Sequence, residues 1–137
     1  MLLHASYAAT PAHVPVARGD VSRTLRRHGI TARADDTRLL VSELITNAIG
    51  HSPGADVTVT VRSLPGGLVV AVSDACPTPP RRRRPSADDE RGRGLQLLEL
   101  LADAWGFDIT SHGTKVVWCR IHLSPPTRIH PEQENTQ

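Results

Sequence analysis

The chain has 137 residues, which by length is one domain with room for a single hydrophobic core. With 39% hydrophobic and 22% charged residues its composition is neither disordered nor membrane-embedded, and no apolar run approaches the roughly 18 residues of a membrane span. A formal net charge of +2 does not demand an acidic partner such as nucleic acid.

Aromatics make up only 3%, so the core must be built from Leu, Val, Ile and Ala. Lys115 is the only lysine, and the other fixed cations are arginines, a pattern that reads as GC-rich coding bias. The first residues carry none of the charged, apolar and small-residue regions of a secretory signal. Cys76 and Cys119 lie far apart and at no zinc-binding spacing. They read as free thiols of a reducing compartment, and a cytoplasmic location is the expectation.

Leu2 to Ala8 reads as an edge strand. Ala12 to Arg27 reads as a helix, with Val16, Val21 and Leu25 apolar and Arg23, Arg26 and Arg27 near its end, where cations suit the dipole. Gly29 stops it. Ala34 to Gly50 is a second helix, with Asp35 and Asp36 in its first turn and apolar Leu39, Leu40, Val41, Leu44, Ile45, Ala48 and Ile49. The period then changes to two. Val57, Val59 and Val61 alternate with Thr58, Thr60 and Arg62, a half-buried strand. Pro65-Gly66-Gly67 turns the chain into the apolar run Leu68 to Val72, a more buried strand that ends at Asp74.

Cys76 to Pro85 is rich in Pro and Arg, and Asp88-Asp89-Glu90 follows, so regular structure is excluded over a long loop. Leu95 to Ala104 reads as a helix, and Trp105 to Thr110 and Lys115 to Leu123 as a second strand pair. Trp105 and Trp118 are expected in the core. The domain spans 1–123, and 124–137 reads as a disordered, polar, Pro-containing tail. The fold class is α+β: a two-layer sandwich with a mixed, mostly antiparallel sheet and helices on one face.

The second helix carries a carboxylate and a carboxamide one turn apart. Glu43 and Asn47 lie about 40° apart on the helical wheel, flanked by Leu39 and Leu40, and so point toward the apolar half. A buried carboxylate needs a partner, which an arginine or a nearby backbone group could supply. The pair also suits a metal phosphate. An amide oxygen is a hard, uncharged Mg²⁺ ligand, and a carboxylate accepts a proton from an attacking hydroxyl or water.

Gly92-Arg93-Gly94-Leu95 stands where the long loop meets a helix. It is either a plain loop exit or a place where backbone amides approach phosphate oxygens at a helix N-terminus. Asp74 is either a strand-end cap or an acceptor for an exocyclic amine. His51 either caps the helix or touches the same site. Arg81 to Arg84 reads as a solvated face, a contact to phosphates or an acidic partner, or a nucleic-acid patch; the last lacks interleaved aromatics. No GxxxxGK[ST] loop is present.

In order, the chain carries Glu43-Leu44-Ile45-Thr46-Asn47-Ala48 with His51, Val72-Ser73-Asp74, Gly92-Arg93-Gly94-Leu95, and Gly113-Thr114-Lys115-Val116-Val117-Trp118. This resembles the GHKL ATPase superfamily with its Bergerat, histidine-kinase-like fold, and within it the small serine/threonine protein kinases that act as bacterial anti-sigma factors. The resemblance covers about Leu2 to Leu123. It implies ATP and Mg²⁺ as cofactors, with Asn47 as the Mg²⁺ ligand and Glu43 as general base. It implies Asp74 at the adenine amine, Thr114 near the base, and Gly92, Gly94 and Leu95 at the phosphates beneath a lid of about 76–91. The implied partners are a STAS-domain anti-anti-sigma protein phosphorylated on serine, a sigma factor, and a second copy in a homodimer, with no direct nucleic acid and no membrane. The family has DxG where this chain has Asp74-Ala75-Cys76. Glycine there permits close backbone approach, whereas Cys76 before Pro77 is held extended. That departure leaves open a pseudo-kinase, a regulator-sequestering module. A detached histidine-kinase ATPase domain and a basic DNA-binding protein are further alternatives.

Overall fold

A computed structural model describes residues 1–51, 55–74, 96–111 and 113–123. Strand β1 (Leu3–Ala8) is followed by helices α1 (His13–Arg27) and α2 (Ala34–His51), the hairpin β2 (Asp56–Leu64) and β3 (Gly67–Asp74), and finally β4 (Ala104–Ile109) and β5 (Lys115–His122). Residues 96–101 are helical. The five strands make one sheet in the order β1-β2-β3-β5-β4. All four pairings are antiparallel, so the parallel neighbour that a mixed sheet would contain does not occur among the described strands.

The two-residue period of β2 sets the inside of the sheet. Val57, Val59 and Val61 are buried, and Thr58 and Thr60 between them are half-buried. On β3 the inward set is Leu68, Val70, Val72 and Asp74; on β5 it is Lys115, Val117, Cys119 and Ile121. Helices α1 and α2 cover this face, α1 against β1 and α2 against β2 and β3. The result is a two-layer sandwich whose core is aliphatic apart from Tyr7 and Cys119. The apolar run in β3 follows from its position, since it lies between β2 and β5 in the middle of the sheet.

Strand parity corrects one sequence expectation. Trp118 neighbours inward-facing Cys119, so it lies on the opposite face of the sheet, half-buried. There it occupies the space above Gly106, where an added Cβ would stand 2.7 Å from Trp118 Cζ2. Trp105 is partly buried against the core, as expected. On α1 the inward stripe is Ala17, Val21, Thr24 and Leu25, whereas Val16 is 48% exposed. The helix expected over Leu95 to Ala104 stops at residue 101 among the described residues. The Asp103 N–H bonds to the Arg120 carbonyl at 2.9 Å, and Ala104 already pairs with β5. Sheet pairing ends the helix there.

Arg33 joins these parts. It lies just before α2 with φ 56°, in the left-handed region. Its Nη1 donates to Asp103 Oδ2 at 2.8 Å, Nη2 donates to the Leu101 carbonyl, and Nε donates to Asp36 Oδ2 at 3.2 Å. Asp103 Oδ2 also accepts from the His122 N–H at 2.6 Å. The start of α2 is thereby tied to the C-terminal end of β5. On the other side of the molecule, the Tyr7 hydroxyl donates to Asp20 Oδ2 at 2.6 Å and links β1 to α1.

Candidate functional site

The wheel position of Glu43 and Asn47 decides what they can face. Thr37, Leu40, Val41, Leu44, Ile45 and Ala48 are buried, which defines the inward stripe of α2. Leu39, expected within the apolar half, is instead 41% exposed. Glu43 and Asn47 lie between exposed Leu39 and buried Leu40, and both are half-buried. The pair is therefore at the margin of the core, where a polar group keeps access to a ligand. The opposite flank of α2 is taken by α1, where Arg18 Nη1 donates to Ser42 Oγ at 3.0 Å. Glu43 and Asn47 thus share the flank that faces away from α1.

The direction of α2 follows from the Arg33 clamp. The helix begins beside His122, at the C-terminal end of β5. Its 18 residues reach about 27 Å, close to the length of β5. Its C-terminal half therefore points toward the opposite end of the sheet, where β5 begins and β3 ends. Asp74 and Lys115 are direct partners there across the β3–β5 ladder. Lys115 Nζ is 3.8 Å from Asp74 Oδ2, with the side chains 3% and 2% exposed respectively. Val72 and Val117 sit next along the same inward face, so this ion pair lies against apolar side chains. Across β5, Ile109 and Phe107 of β4 oppose Lys115 and Val117 and are 43% and 39% exposed. These two side chains leave an apolar margin open beside the buried ion pair.

Thr114 belongs to the turn that sets the start of β5. Its N–H bonds to Thr110 Oγ1 at 3.1 Å, its carbonyl accepts from the Thr110 N–H at 2.8 Å, and Gly113 supplies the φ of 80° that the turn requires. Thr114 is half-buried and adjoins Lys115. Glu43 and Asn47 thus share one helix flank, and Asp74 and Thr114 share one end of the sheet. Gly92, Gly94 and Leu95, the lid at 76–91 including Cys76 and Arg81 to Arg84, and the tail at 124–137 lie outside the described residues; so does the His51 side chain.

Two groups outside the predicted site residues shape this region, Lys115 from within it and Arg33 from the opposite end of the sheet. Lys115 stood out in the sequence only as the lone lysine, and its partner is set by β3–β5 register. Arg33 carries no local sequence signal. Among the described residues no group of three or more His, Cys, Asp or Glu side chains forms a cation cage. A divalent ion at Asn47 would take most of its oxygens from phosphate and water, as Mg²⁺ bound with a nucleotide does. Cys119 is a buried free thiol whose pKa is pushed up to about 12 by burial, so it does not act as a nucleophile. Among the described residues no helix is long and apolar enough to cross a membrane.

A comparison with curated proteins gives no match. Residues 7–120, most of the chain, match the family described as Histidine kinase-like ATPase domain. The antiparallel five-stranded sheet with helices on one face agrees with that fold. The chain therefore belongs to the histidine kinase-like ATPase domain family, the ATP-binding domains of GHKL type.

Proposed function

We propose that this domain is a serine/threonine protein kinase of the anti-sigma-factor type. It would bind ATP with Mg²⁺, phosphorylate a serine of a STAS-domain anti-anti-sigma protein, and thereby control the availability of a sigma factor. The observation that carries this reading is the half-buried flank of α2 that faces away from α1. Glu43 and Asn47 share it, and it runs toward the end of the sheet occupied by Asp74 and Thr114.

The roles are those the family resemblance implies, and the chemistry of each group suits them. Asp74 at the buried end of β3 accepts from the adenine amine, and the Thr114 hydroxyl lies beside the base. The Asn47 amide oxygen would hold a hard divalent ion, which would supply neutralisation of phosphate charge. Glu43 accepts the proton of the serine hydroxyl as its oxygen attacks the γ-phosphorus and the bond to the β–γ bridging oxygen breaks, releasing ADP. Gly92, Gly94 and Leu95 are assigned to the phosphates through their place in the sequence motif alone. The working unit is assigned as a homodimer on the same resemblance.

A second reading rests on Asp74-Ala75-Cys76, which replaces the glycine of DxG by a side chain. It makes the domain a binding module that sequesters a regulator with weak or no phosphotransfer. Calorimetric titration with ATP and Mg²⁺, beside phosphotransfer to a STAS-domain protein, separates the two. Binding with transfer supports the kinase, and binding of the protein partner without transfer supports the module. An absence of ATP binding by the wild type would sink the kinase reading.

A further inference from the structure

Lys115 has features that the proposed roles leave unused. It is the only lysine in the chain, it is 2% exposed, and its ammonium stands 3.8 Å from Asp74 Oδ2. The two residues are direct ladder partners on the covered face of the sheet, with Val72 and Val117 next to them. Burying a carboxylate and an ammonium is costly, and their attraction in apolar surroundings offsets that cost only when they stay together. Lys115 therefore constrains where the carboxylate of Asp74 lies. The carboxylate of such an ion pair is acceptor-only. An acceptor-only group matches an exocyclic amine and opposes a carbonyl oxygen at the same place.

We infer that Lys115 is a positioning residue for base selection: paired with Asp74 across the β3–β5 ladder, it holds that carboxylate as an acceptor and so makes the site prefer a 6-amino purine over a 6-oxo purine. The inference rests on the nucleotide-binding reading and adds a specificity-determining residue to it. Removing the ammonium leaves the carboxylate less constrained in position. Selectivity between bases should then fall more than the contribution of phosphates and metal.

The test compares ATP with ITP, both with Mg²⁺, by calorimetry on the wild type, Lys115→Met and Lys115→Arg, with thermal unfolding of each recorded. The wild type should prefer ATP by about tenfold or more, the scale of a site built to pair one polar group. Lys115→Met should bring the ratio of affinities toward one, and Lys115→Arg should restore much of it. An unchanged ratio in Lys115→Met, or tighter ATP binding by that variant, would overturn the assignment. Lysine labelling supplies a second measurement that needs no substitution, because the chain has a single lysine. In wild-type protein carrying ¹³C-lysine, saturating ATP should shift the Lys115 ε-methylene resonance, and ITP should shift it differently. A resonance unmoved by saturating ATP would also overturn the role. A wild type that binds ATP but fails these tests loses only the Lys115 role, whereas one that binds no ATP loses the nucleotide reading itself.

Discussion

Arg33 donates to Asp103 at 2.8 Å, joining the residue before α2 to the residue before β4. The same guanidinium reaches the Leu101 carbonyl and Asp36, so one side chain fastens the 96–101 helix, the start of α2 and the end of β5. The pair is about a third exposed, and an isolated ion pair there would contribute little. The added hydrogen bonds to backbone carbonyls raise its worth. Arg33→Ala should cost about 1–2 kcal/mol in urea unfolding. Arg33→Gly should cost less than Arg33→Ala, because glycine relieves the φ of 56° while both lose the clamp. Equal costs would mean that backbone strain at this position is negligible.

The same contact has a pH dependence with a definite sign. Burial raises the pKa of Asp103, but the His122 N–H and the Arg33 guanidinium outweigh it and hold the carboxyl below its ordinary 3.8. A folded value below the unfolded one stabilises above the unfolded value and is lost as pH falls through the folded one. The stability gap between wild type and Asp103→Asn should be constant near neutrality and should shrink on acidification below about pH 4. Urea unfolding of both proteins across that range checks it. A gap that widens in acid would reverse the assignment.

Glycine positions on the sheet should differ in tolerance. A Cβ on Gly67 would stand 2.7 Å from the Ile121 carbonyl oxygen, a backbone atom held in the β3–β5 ladder. A Cβ on Gly106 would meet the ring of Trp118 at the same distance, and a side chain can turn aside. Both substitutions overpack, at about 1–3 kcal/mol. Gly67→Ala should lie at the upper end and Gly106→Ala at the lower, with the second also changing Trp118 fluorescence. The opposite order in thermal unfolding would show that the ring is held more firmly than the strand.

Asn47 and Glu43 should separate binding from transfer. Asn47→Ala should abolish Mg-dependent ATP affinity with less than about 1 kcal/mol lost in stability, because the side chain is only half-buried. Glu43→Ala should retain ATP binding and lose phosphotransfer. Equal transfer rates in Glu43→Ala and wild type would remove Glu43 from the base role.

Cys119 should be silent to thiol reagents. It is fully buried and its pKa is pushed up to about 12 by burial, so thiolate is scarce at neutral pH. In a Cys76→Ser background the native protein should not react with a disulfide reagent over the time in which unfolded protein releases its thiol. Fast native reaction would mean that β5 opens locally.

Local sequence was enough for most of the described elements. The two-residue alternation of Val57, Val59 and Val61 fixed a strand and its inner face. The apolar spacing from Leu40 to Ala48, with Asp35 and Asp36 at the start, fixed α2. These signals are short-range, because a helix or strand repeats its own face within a few residues. The separation of Glu43 and Asn47 by one turn, and hence their common flank, came from the same rule.

Which flank that is, and what it faces, came only from the fold. Leu39 looked apolar and stands in solvent, while Trp118 looked like core and lies on the other face of the sheet. Arg33 acquired its contacts from the meeting of three distant segments. Lys115 acquired Asp74 because the order β1-β2-β3-β5-β4 makes β3 and β5 neighbours in one particular register. A one-residue slip in that register would turn Lys115 to the opposite face and leave Asp74 beside a different residue. The sequence alone determined which side chains were available to the site. The long-range strand pairing decided which of them became partners, since a buried charge is tolerated only where the chain brings its counter-charge to it.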